Sequence, residues 1–139
     1  MTKFILDASI TLAWFLDNPV PAYAIHIRDA LVHGSRALVP ALWHLEIANG
    51  FAVAERRHIL TSADVSQGLK NVEEIVIQRL ETEGKIISLR KAVATARAYQ
   101  LSAYDAAYLD LASEQALPLA TLDLSLRRAA TRAGVELLL

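Results

Sequence analysis

Short apolar runs and longer stretches of helical periodicity alternate along this chain. Lys3 to Leu6 is an apolar run that stops at Asp7, and Ile10, Leu12, Ala13, Trp14, Phe15 and Leu16 then make a buried-helix pattern closed by Asn18-Pro19. Pro21 suits the first turn of a second helix, which Ala22 to His33 carry to Gly34, a left-handed stop. Ala37-Leu38-Val39 predicts a second strand. Pro40 opens a helix to about His58, and Thr61 or Ser62 caps another that runs through Glu74 and Arg79 towards Gly84, so the two form an αα hairpin. Ile86-Ile87-Ser88 predicts a third strand, Lys91 to Gln100 a helix, and Ser102 the cap of a helix ending near Leu117-Pro118. Leu119-Ala120-Thr121 is a fourth strand, Asp123 caps a helix to Ala133-Gly134, and Val135 to Leu138 closes the chain with a fifth short strand.

Strands separated by helices predict an α/β layer fold with a mainly parallel five-stranded sheet, because parallel neighbours need crossover connections. Residues 1–139 read as one domain, with no repeat, linker or low-complexity segment. In such sheets ligands bind beyond the carboxyl ends of the strands, where the strand order reverses. Asp7 and Asp123 both stand just past a strand end.

Composition narrows the chemistry. The absence of cysteine removes disulfides, thiolate zinc sites and thiol nucleophiles, and is compatible with a reducing cytosol. A strand beginning at the N-terminus leaves no room for a signal peptide, and no apolar run reaches the ~18 residues of a membrane span, so a soluble cytoplasmic protein is expected. Fourteen Lys+Arg against fifteen Asp+Glu give a net charge of −1, so any nucleic-acid site must be a local patch. A hydrophobic fraction of 54% with only 6% aromatics predicts aliphatic packing and a buried subunit contact, hence a homo-oligomer. His26, His33, His44 and His58 show no i, i+4 pairing, which leaves a histidine-ligated zinc hydrolase little support.

Four carboxylates carry the candidate chemistry, and each has a structural alternative. Asp7, at the end of the first strand, is placed to enter the crevice, or else caps the helix that follows. Glu46 lies on a helix face shared with Leu42, Trp43, Asn49, Gly50 and Val53, where a carboxylate needs a metal or a partner such as Arg57. Asp105 also reads as half of a capping box with Ser102, and Asp123 as the cap of the helix bearing Arg127, Arg128 and Arg132. Asp110 lies roughly 140° round the helix from Asp105 and points elsewhere or bonds a neighbour. Thr121 either orients a water or a carboxylate, or is simply a strand-favouring residue. If the four acids converge, their repulsion calls for a cation, and oxygen donors select Mg²⁺ or Mn²⁺. Such ions promote in-line cleavage of a phosphodiester.

The segments Phe4-Ile5-Leu6-Asp7-Ala8-Ser9, Glu46-Ile47-Ala48-Asn49, Tyr104-Asp105-Ala106-Ala107-Tyr108 and Leu119-Ala120-Thr121-Leu122-Asp123 together resemble the PIN domain, specifically the VapC-like toxins of type II toxin–antitoxin pairs. The likeness spans almost the whole chain. It implies a PIN-like three-layer fold with the first and fourth strands adjacent, and Mg²⁺, or Mn²⁺ in its place, held chiefly by Asp7 and Asp105. Glu46 and Asp123 would complete the catalytic set, with Ser9 and Thr121 in support. It further implies a metal-dependent endoribonuclease, single-stranded or structured RNA as substrate, a homodimer, and inhibition by a VapB-like antitoxin. Arg127 and Arg128, beside Asp123, are then candidate phosphate contacts, and Arg56-Arg57-His58 closes the Glu46 helix. A non-catalytic PIN-like module binding RNA or antitoxin is the alternative. A receiver domain would want adjacent acids after the first strand and a late lysine, and an aspartate-nucleophile phosphatase a second Asp where this chain has Ser9.

Overall fold

The computed structural model describes residues 2–139. Strand β1 (Lys3–Leu6) leads into helix α1 (Ala8–Leu16) and helix α2 (Ala22–Val32), and β2 (Arg36–Pro40) follows. Helices α3 (Leu42–Arg56) and α4 (Ser62–Asn71) form the expected helical pair before β3 (Leu80–Glu83). Helix α5 (Leu89–Tyr99), helix α6 (Ala103–Gln115), the two-residue β4 (Leu119–Ala120) and helix α7 (Leu124–Ala133) complete the order. All strand pairs are parallel and the sheet order is β3-β2-β1-β4. The chain therefore steps outwards from β1 to β3, then returns to lie on the other side of β1. The reversal point falls between β1 and β4, where open α/β sheets present their ligand crevice.

The sheet has four strands, not five, and two expected strands are corrected. Val135 to Leu138 contributes only one parallel bridge, Leu119 to Leu137, too short a pairing to make a strand. The third strand is Leu80–Glu83 and not Ile86-Ile87-Ser88; Ile86 is 97% exposed. As the sheet edge, β3 pairs only with β2, so the polar sequence Leu-Glu-Thr-Glu suffices and hydrophobicity is a poor guide to it. The helix expected to run to Arg79 ends at Asn71 and unwinds through a π turn (Val72–Val76) and a 3₁₀ turn (Ile77–Arg79). Pro40 closes β2 rather than opening α3, and Ser88 caps α5 through the Lys91 amide. Gly34 has φ 107°, the positive value expected of a residue that ends a helix.

The core explains why the site is held firmly. Phe4, Ile5 and Leu6 of β1 are fully buried, as are Tyr108 and Leu119. Helix α6 buries Ala106, Ala107, Leu109, Leu111 and Ala112 around most of its circumference because it lies between the sheet and α5. Helices α1 and α3 approach so closely at Gly50 that a Cβ there would sit 2.4 Å from Leu12 Cδ2. That approach brings the helix that begins beside Asp7 against the helix that carries Glu46. Among the described residues no helix is long and apolar enough to cross a membrane.

Candidate active site

Asp7 is the anchor. It follows the last residue of β1, and the register Leu6↔Ala120 puts Thr121 beside it on the neighbouring strand. The Asp7 amide donates to the Ala120 carbonyl at 3.0 Å, extending the pairing one residue past the strands. Asp7 is 4% exposed, and its carboxylate lies close to the Ser9 amide in the first turn of α1 without making a full cap to the helix backbone. Instead Oδ2 accepts from Ser9 Oγ at 2.6 Å and from Thr121 Oγ1 at 2.7 Å. Those hydroxyls are themselves oriented: Leu122 N donates to Ser9 Oγ at 3.1 Å and Asp123 N to Thr121 Oγ1 at 3.0 Å. Each hydroxyl has one proton and gives it to Asp7, so the clamp favours the charged carboxylate. Burial nonetheless raises the Asp7 pKa, the two hydroxyls pull it back, and the Asp123 charge pushes the same way as burial.

The other three acids come from helices that converge on this strand end. Glu46, half-buried on α3, takes no Arg57 partner; Tyr108 Oη on α6 donates to its Oε1 at 2.7 Å. Asp105 lies in the first turn of α6, where Ser102 Oγ accepts from its amide at 3.1 Å. That half of the capping box is present, while the Asp105 carboxylate makes no return bond to the Ser102 amide. Asp123 caps α7 by accepting from Leu126 N at 2.8 Å through Oδ1 alone, so the capping alternative holds for one of its oxygens and leaves Oδ2 free of a hydrogen bond among the described residues. Asp110 stands apart, as its helical angle suggested, with its Oδ1 bonded by Thr95.

The charges of these groups reach one another. Burial raises the Asp105 carboxyl from 3.8 to about 6, with the charges of Asp123 and Asp7 adding to it. Burial likewise raises Glu46, reinforced by Asp7 and Asp105 and opposed by the Tyr108 hydroxyl. The two ion pairs among the described residues, Lys3 with Glu81 and Lys91 with Glu114, involve none of the four. Among the described residues no three Asp, Glu or His side chains close into a ready-made metal cage. An oxygen-only cluster of this looser kind suits Mg²⁺, which keeps several waters and binds one or two carboxylates directly. It does not suit Zn²⁺, which favours nitrogen and sulfur donors in a closed shell.

Of the two candidate phosphate contacts, Arg128 is exposed. Arg127 is half-buried: its Nη1 donates to the Thr121 carbonyl at 2.9 Å, and its guanidinium lies 5.1 Å from the Tyr23 ring centre. It braces the segment that carries Thr121. A cleft of about 310 Å³ is lined by none of the four acids and lies among Glu83, Ile86, Lys91, Asp110 and Glu114.

Tyr108 is the site residue that sequence reasoning overlooked. Two signals mark it: it follows Asp105 by three positions and so shares its helix face, and a buried tyrosine needs a partner for its hydroxyl. Tyr108→Phe removes only the oxygen that orients Glu46. Since that bond lowers the Glu46 pKa, the variant should raise it further. Were the pocket to hold Mg²⁺, its affinity at neutral pH would fall about 10- to 100-fold, the usual effect of losing a partner of a metal-site side chain. Isothermal titration of Mg²⁺ checks this, and unchanged affinity would show that Tyr108 is only packing.

No protein-family model matches the sequence. The curated proteins likewise contain no match. Solved structures do share the fold. PAE2754 from Pyrobaculum aerophilum superposes with a TM-score of 0.70 at 20% identity, over 92% of this chain and 84% of that one. FitAcB from Neisseria gonorrhoeae gives a TM-score of 0.64 at 16% identity, over 100% of this chain and 97% of that one. At such identities the likeness is one of fold.

Proposed function

We propose that this chain, whose fold is PIN-like, is a Mg²⁺-dependent endoribonuclease acting as the toxin of a toxin–antitoxin pair. The observation that carries the proposal is Asp7: a buried carboxylate at the sheet's reversal point, clamped on one oxygen by Ser9 and Thr121, with acids from three other segments within electrostatic reach and, among the described residues, no basic side chain in an ion pair with any of them. Asp7 and Asp105 would hold Mg²⁺, with Mn²⁺ as a substitute, and Glu46 and Asp123 would complete the set. A cation bound there would supply charge neutralisation of the phosphodiester, a lowered pKa for the attacking water and stabilisation of the leaving oxygen.

The chain's own residues supply orientation. Ser9 and Thr121 fix the Asp7 carboxylate, so it loses little freedom on meeting a ligand. Tyr108 ties down Glu46 Oε1 and leaves Oε2 to accept a hydrogen bond from water. Exposed Arg128 is available to a phosphate oxygen, and Arg127 contributes through the Thr121 segment. An antitoxin partner rests on the PIN-domain resemblance of the sequence, with which the fold shared with FitAcB agrees. The homodimer rests on the apolar composition.

The test is cleavage of total cellular RNA with Mg²⁺, with EDTA, and with Mg²⁺ restored after chelation. Cleavage that appears, disappears and returns supports the proposal. Cleavage that is indifferent to chelation, or that survives Asp105→Asn, contradicts it. The open spacing of the acids favours one rival, a non-catalytic module that binds RNA or antitoxin. That reading predicts binding with no Mg²⁺-dependent cleavage at all.

A further inference from the structure

We infer that Tyr104 is a stacking platform for an unpaired nucleobase beside the scissile phosphate, an inference that rests on the ribonuclease reading above. Of the chain's nine aromatic side chains, Tyr104 alone is exposed among the described residues, at 66%. The other eight are buried or half-buried in packing. Tyr104 immediately precedes Asp105 in the first turn of α6, so the two α-carbons are about 3.8 Å apart. Neighbouring helix positions diverge by about 100°, so the ring does not share the Asp105 direction and stands in solvent next to that acid along the chain.

The same arrangement recurs around the pocket. Leu45 precedes Glu46 and Leu124 follows Asp123, and both are strongly exposed. Each of these three acids therefore has a large apolar chain neighbour left in water, and an apolar group exposed next to a polar site is free to meet a ligand there. An acidic pocket that takes a cation takes the charged phosphate with it, so the ribose and base attached to that phosphate come within reach of the groups around Asp105. A flat ring suits the face of a base, and such stacking accepts any base because every base has a π-face. A paired base already stacks in its duplex, so the platform favours single-stranded RNA or an unpaired loop.

The experiment measures anisotropy of a labelled, randomised 12-nucleotide single-stranded RNA, with Ca²⁺ replacing Mg²⁺ and RNA integrity checked on a gel. Tyr104→Ala should weaken binding about 5- to 150-fold, the effect of one lost base stack. Tyr104→Phe should bind within about twofold of the unaltered chain, and both variants should melt as it does, since the ring is exposed. A 12-base-pair RNA duplex should show no difference between the proteins. Equal affinity of Tyr104→Ala and the unaltered chain overturns the inference and leaves the nuclease reading intact, because that reading is decided by cleavage with Asp105→Asn. Weakening by Tyr104→Phe as large as by Tyr104→Ala also overturns it, assigning the effect to the hydroxyl. An unaltered chain that binds neither this pool nor total cellular RNA overturns the inference and the RNA reading together.

Discussion

Asp7→Asn is expected to lower Mg²⁺-dependent RNA cleavage by more than about 100-fold while raising the melting temperature of the metal-free protein. Removing a mere outer partner of a metal site typically costs 10- to 100-fold, so removing the carboxylate itself should cost at least the upper figure. Stability should move the other way. Asparagine has the same shape, and its Oδ1 can still accept from Ser9 and Thr121, while the buried charge that repels Asp123 is gone. Relief of strain at a functional carboxylate commonly contributes about 0.5–2 kcal/mol. For a chain of this size that corresponds to a rise of roughly 2–8 °C. If Asp7 served only as a structural cap, the same substitution would leave cleavage intact and would lower the melting temperature. Cleavage assays paired with circular-dichroism melts therefore separate the two roles by sign, not only by size.

The parts of the fold that could be read from the chain are those where one local rule dominates. Phe4-Ile5-Leu6 and Ala37-Leu38-Val39 are buried on both faces, so their apolar runs point directly to β1 and β2. Ser102 and Asp123 announced α6 and α7 because capping is a matter of a few adjacent residues. β3 failed the same reading. Its Leu-Glu-Thr-Glu sequence is selected by a single neighbour, β2, while the greasier Ile86-Ile87 next to it stays out of the sheet. The site divides similarly. That Asp7 emerges at a strand end follows from local pattern, but the two hydroxyls that hold it come from positions 2 and 114 residues away. Only the adjacency of β1 and β4 brings Thr121 there, a feature that the PIN resemblance implied and periodicity alone does not. The Tyr108 bond to Glu46 spans 62 positions and two helices, and depends on how α6 crosses the sheet.

Mg²⁺ is expected to raise the melting temperature by roughly 5–15 °C at pH 7.5 and by almost nothing at pH 4.5. A ligand that binds only the folded state at 100 times its dissociation constant stabilises by about 2.7 kcal/mol, which gives a shift of that order. The pH dependence follows from the carboxylates. Asp105 titrates at about 6 in the folded chain against an ordinary 3.8, so between those values the folded state holds the proton more firmly than the unfolded state does. Stability of the metal-free protein should therefore fall as pH rises from 4 to 6 and stay low above it. Asp7 and Glu46 act in the same direction. Asp105 is half-exposed, and after allowance for solvent screening its share is about 1 kcal/mol. Asp64 and Glu81, whose pKa values are lowered by Thr61 and Lys3, contribute stability that is lost as pH falls below their ordinary values of 3.8 and 4.5, outside this window for Asp64 and at its lower edge for Glu81. Mg²⁺ must compete with protons for the raised carboxylates, so its effect grows as they ionise. Asp105→Asn should flatten the pH slope and largely remove the Mg²⁺ shift in one step. Asp110→Asn, on the far side of α6 with its oxygen held by Thr95, should leave the shift in place. Calorimetric melts across pH with and without Mg²⁺ read both effects, and a shift of full size in Asp105→Asn would move the cation to other ligands.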